Sequence, residues 1–69
     1  LNIGEEITLE DMPVSLYIIE SGRVKITIDG KNSNWLAEGE SFARNGLTIT
    51  VEEVLFQEYG IKAISYSVG

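Results

Sequence analysis

The 69-residue chain reads as an all-β protein of short, mostly antiparallel strands, folded as a sandwich or small barrel. Three observations carry this reading. Nine Ile, five Val and four Thr supply the β-branched side chains that fit a pleated surface. Apolar and polar residues alternate with a period of two in several stretches, which buries one face of a strand and wets the other. Seven Gly and one Pro break these stretches at spacings suited to tight turns.

Ile7 and Leu9 are the first residues spaced for a buried face. Ser15 to Glu20 is more continuously apolar, with Leu16, Tyr17, Ile18 and Ile19, and suits a strand covered on both sides. Ser21-Gly22 is a tight-turn candidate. Arg23 to Asp29 is the clearest strand: Val24, Ile26 and Ile28 alternate with Arg23, Lys25, Thr27 and Asp29. Asp29-Gly30 predicts a type I′ hairpin, because both central residues of that turn need positive φ. Ser33 to Ala37 then pairs back onto the preceding strand, with Trp35 or Leu36 inward. Leu47, Ile49 and Val51 define another one-sided strand. Glu52 to Tyr59 stays open between two readings. Thr50-Val51-Glu52-Glu53 matches a capping box that would start a short helix over about 51–59, and the same residues also continue the strand through Phe56. Ile64, Tyr66 and Val68 share a face of the last strand. The expected core is Ile7, Leu9, Leu16, Ile18, Val24, Ile26, Ile28, Leu36, Phe42, Ile49, Val51, Ala63, Ile64 and Tyr66.

Composition bounds the function. Residues 1–69 form one small domain, near the lower size limit for a self-sufficient core. Eleven acidic residues against five basic ones give a net charge of -6, which repels phosphate backbones and argues against nucleic-acid binding. Without Cys there is no disulfide or thiolate metal site. Without His, this chain holds no Ser-His-Asp or Cys-His catalytic group and no histidine metal site. No apolar run approaches the roughly 20 residues of a membrane span, and the first residues lack the pattern of a secretory signal. The expectation is a cytoplasmic segment without membrane contact. The chain begins at Leu1 and its last residue follows directly on an apolar run, so it reads as a piece of a longer protein.

Leu16 to Ala43 carries a pattern beyond generic strands. Tyr17-Ile18-Ile19, the Ser21-Gly22 turn and Arg23-Val24-Lys25-Ile26 lead through a hairpin to Gly39-Glu40-Ser41-Phe42. Gly4-Glu5-Glu6-Ile7 precedes it and Ile61-Lys62-Ala63-Ile64 follows. The series resembles the cyclic-nucleotide-binding (cAMP/cGMP receptor) domain family. The resemblance implies a jelly-roll barrel with flanking helices and a regulatory role. It also implies a cassette in which Phe-Gly-Glu binds the ribose and an arginine pairs with the phosphate. Here Ala43-Arg44 follows Phe42 in place of Gly-Glu, and no arginine follows Arg44. Glu52, Glu53 and Glu58 oppose an anionic ligand. These departures disfavour cAMP or cGMP, and no cofactor is expected.

The ligand-binding residues on this reading are Gly39, Glu40, Ser41, Phe42, Ala43, Arg44 and Asn45. Arg44 serves either as an anion anchor or as a loop cation balancing Glu38 or Glu40. No catalytic or metal-ligating residue is assigned. The expected function is a non-catalytic regulatory or interaction module with lost or altered nucleotide binding, contacting neighbouring domains or other subunits. The competing expectation is a stand-alone β-barrel assembly subunit that forms homo-oligomers, because oligomerisation adds burial that a small core lacks.

Overall fold

In the computed structural model, which describes residues 1–69, eight strands and no helix follow one another: β1 (Glu6–Leu9), β2 (Met12–Glu20), β3 (Arg23–Ile28), β4 (Lys31–Asn32), β5 (Leu36–Ala37), β6 (Ser41–Arg44), β7 (Leu47–Phe56) and β8 (Lys62–Val68). They form two antiparallel sheets. One runs β1-β2-β3-β4, with β5 continuing β4 along β3. The other runs β6-β7-β8. The all-β, antiparallel expectation holds. The jelly-roll barrel does not: the sheets do not close on themselves, and the strand pairings run between chain neighbours apart from β5 on β3. Two-residue turns explain this. Such a turn can only return the chain beside the strand it has just left, whereas a jelly roll needs long crossovers.

Three of the hairpins use central residues that both have positive φ: Glu10-Asp11 (49° and 64°), Asp29-Gly30 (50° and 82°) and Asn45-Gly46 (52° and 85°). This is the geometry whose twist matches paired strands. Asn-Gly and Asp-Gly enter it at little cost. Glu10-Asp11 does so with Asp11, which tolerates the left-handed region, and Glu10, whose side chain disfavours it.

The core lies between the sheets. Val14, Leu16, Val24, Ile26, Ile28 and Leu36 come from the first sheet, and Leu47, Ile49, Val51 and Ile64 from the second. Fully burying a side chain of this kind contributes about 1.5–3 kcal/mol. Seven of them are less than 2% exposed, so this layer dominates the stability. Ile18 departs from its expected core place and is 40% exposed. The cause is a β-bulge between Leu16 and Ile18. Leu16 pairs with Ile26, but Ile18 pairs with Lys25 and Ile19 with Val24. One extra residue reverses the alternation, turning Ile18 outward and setting Ile19 against the core.

A second bulge separates Val51 from Glu53. It moves the inward series from Leu47, Ile49 and Val51 to Val54. The possible helix over 51–59 is therefore absent: β7 runs to Phe56 and a turn follows. The two adjacent glutamates that match a capping box are here the signature of a bulge, and cross-strand pairing with β8 decides between the two.

The first three residues link the sheets through backbone pairing to β8 and β2, and the chain crosses between the sheets again from β5 to β6. The Ile64 N–H donates to the Leu1 carbonyl and the Ile3 N–H to the Lys62 carbonyl, each at 2.9 Å. Ile3 also bridges in parallel to Leu16 on β2. The Gly39 N–H donates to the Val51 carbonyl at 2.6 Å and the Val51 N–H to the Glu40 carbonyl at 2.9 Å, which carries the β6–β7 ladder on into the turn that arrives from β5.

Ser33, the one buried polar residue, repairs the break between β4 and β5. Its N–H donates to the Ile26 carbonyl at 2.8 Å, and its Oγ accepts the Ile26 N–H at 3.0 Å. Its hydroxyl donates to the Asn34 carbonyl at 2.7 Å. Ser33→Ala leaves a buried N–H unsatisfied, so denaturant unfolding should show a loss of about 1–3 kcal/mol. The paired change Glu10→Asn, Asp11→Gly should stabilise by on the order of 1 kcal/mol, since it removes left-handed strain from an exposed turn.

Candidate functional site

The seven residues predicted to bind a ligand lie along a turn and an edge strand. Gly39 has φ 89° and sits in the turn closed by the Glu40 N–H donating to the Ala37 carbonyl at 3.0 Å. The Glu40 carboxylate accepts the Ala37 N–H at 2.7 Å. Ser41 hydrogen-bonds Thr50 hydroxyl to hydroxyl at 2.7 Å across the β6–β7 pair. Phe42 packs half-buried against the core, and Ala43 is exposed opposite Thr48. Arg44 is half-buried opposite Leu47, with its Nε buried and unpartnered. Asn45 holds a hairpin turn, and its side-chain amide donates to Asp29 on the neighbouring turn at 3.2 Å. Each of the seven thus has a place in the fold, and no pocket opens beside them.

Arg44 pairs with neither Glu38 nor Glu40. The sole ion pair joins Arg23 to Glu20 at 2.8 Å, on the surface. Glu38 instead accepts the Val54 N–H at 2.8 Å, which ties the β5–β6 turn to β7 beyond the bulge. Trp35 is half-buried, with the Arg23 guanidinium 4.2 Å and the Lys25 ammonium 5.1 Å from its ring centre. Its ring is already taken by cations and is not a free stacking platform.

The surface that the fold leaves uncovered lies elsewhere. β7 and β8 run on past Val54 opposite Ile64, with residues 1–3 bonded along the outer edge of β8 as far as Lys62 and Ala63 still buried opposite Leu55, and end in a ribbon from Phe56 to Ile61. Beyond Val54 stand Leu55, Phe56, Tyr59 and Ile61, with exposures of 41%, 36%, 97% and 54%. The Gln57 N–H donates to the Ile61 carbonyl at 2.7 Å and closes the tip. The Lys62 ammonium sits 5.8 Å from the Phe56 ring centre. Ile3, hydrogen-bonded to Lys62, brings one more exposed apolar side chain next to β8. Sequence reading left Glu52 to Tyr59 open and assigned no function there. The available signal was that Val54, Leu55 and Phe56 form a continuous apolar run, more than the one inward face of a two-sided strand requires.

No group of His, Cys, Asp or Glu side chains is arranged to hold a metal ion, and no helix is long and apolar enough to cross a membrane. Comparison with protein-family models, with curated proteins and with solved structures finds no match.

Arg44→Met tests whether the arginine supports the fold. It removes a buried, unpartnered donor and keeps the apolar stem, so the melting temperature should hold or rise. A clear fall would show that the charge is structurally paired in solution.

Proposed function

We propose that the chain is a non-catalytic interaction module, regulatory or structural, that contacts a neighbouring domain or another subunit through the projecting end of the β7–β8 ribbon. The observation that carries this reading is the concentration of Leu55, Phe56, Tyr59 and Ile61 on one small projection. Apolar side chains scattered singly on a surface need no explanation; here four exposed ones fall within seven residues around one turn, two of them on opposite faces of β7, and such local crowding supports a contact role. Tyr at such a place adds a large, rigid contact area with a polar tip.

A second reading, assembly of identical copies, draws on the free edges of β1 and β6, each the outer strand of its sheet. β1 carries Glu6 and is followed by Glu10 and Asp11, charges that oppose edge-to-edge pairing. β6 carries no acid, so self-pairing would start there.

The double change Tyr59→Ser, Ile61→Ser separates contact surface from core. If the ribbon end is a contact surface, stability should change by less than about 1 kcal/mol, or about 4–8 °C in melting temperature, while binding of a fluorescent apolar dye falls. Loss of the folded state would make these residues part of the core and overturn the proposal.

A further inference from the structure

We infer that the partner of the ribbon end is a cationic amphipathic segment of another polypeptide, combining apolar side chains with lysine or arginine; this rests on the reading of that end as a contact surface. The inference comes from which charges are free there. Along the ribbon, acids are interleaved with the exposed apolar residues: Glu52-Glu53-Val54-Leu55-Phe56-Gln57-Glu58-Tyr59. Glu53 and Glu58 are exposed and take part in no hydrogen bond or ion pair within the chain. Glu52 accepts a hydrogen bond from Ser67, and Glu38 from the Val54 N–H, and both still present carboxylate charge.

The one cation among residues 52–62, Lys62, lies over the Phe56 ring. On the other sheet Arg23 and Lys25 lie over Trp35, with Arg23 also paired to Glu20. An incoming partner therefore meets apolar side chains flanked by unpaired carboxylates. A cationic segment gains from both, because apolar burial supplies affinity and complementary charge guides approach and register. The net charge of -6 works against the other occupants. A second copy carries the same charge, and an anionic lipid surface or a nucleic acid is repelled likewise.

The test uses the whole chain and three capped synthetic peptides. One is an amphipathic Lys/Leu peptide, one replaces its Leu by Ser, and one replaces its Lys by Glu. Amide NMR spectra follow each titration. The Lys/Leu peptide should shift resonances from Glu53 to Lys62 and bind at least tenfold more tightly than either control. Tyr59→Ser with Ile61→Ser, and separately Glu53→Gln with Glu58→Gln, should each weaken it by about tenfold; thermal melts confirm that both variants are folded. Equal binding of the Lys/Ser peptide would reduce the effect to general charge attraction and overturn the inference. So would equal binding of the Glu/Leu peptide, or shifts centred away from the ribbon. Self-association that maps to Leu55–Ile61 would replace the cationic partner with a second copy. That outcome defeats the inference while leaving the contact-surface reading intact, whereas unfolding of the Tyr59, Ile61 variant defeats both.

Discussion

The fold depends on the backbone seams that hold two small sheets face to face. Neither sheet has a second layer of its own, and the chain has no disulfide to brace it. Burial of the shared core is the main stabilising term available, and it exists only while the sheets stay together. The bonds from Ile64 and Ile3, with Ile3 bridged to Leu16, and the crossing from β5 into the Gly39–Glu40 turn that bonds Val51, fix that apposition. They also satisfy backbone groups that would otherwise be desolvated at the sheet margins. Glu38 in the same turn adds its side chain to the crossing by accepting the Val54 N–H.

The two bulges shape the sheets around this core. Each inserts one residue, reverses the alternation of its strand and increases the local twist. In β2 the result is an outward Ile18 and an inward Ile19. In β7 it is an inward Val54 after Glu52-Glu53. Because β7 and β8 continue past the core, the ribbon end has no opposite sheet, and its apolar side chains remain exposed.

Much of this was legible in the residues. Val24, Ile26 and Ile28 alternate without interruption, and Asp29-Gly30 has the positive φ values its type I′ turn requires. Leu36, rather than Trp35, is the buried residue of its pair, because Arg23 and Lys25 hold the indole on the outer face. The bulges were not legible, since a one-residue insertion depends on the partner strand and leaves only an ambiguous local pattern. Asn45, placed among the expected ligand residues, forms with Gly46 a hairpin turn with positive φ at both positions. The expected ligand residues from Gly39 to Asn45 are the side chains and turns that connect the two sheets, and a resemblance built mainly on turn glycines and alternating apolar residues does not distinguish that role from binding.

Amide hydrogen exchange, residue by residue, tests the central claim most directly. If the seams join both sheets into one cooperative unit, the Val51 and Ile64 amides should exchange as slowly as those of Ile26 and Ile49, through global unfolding, while Glu58, Tyr59 and Gly60 exchange orders of magnitude faster. Fast exchange at Val51 and Ile64 alongside a protected Ile26 would mean that the sheets open independently, and the account of a single core closed by its margins would fail.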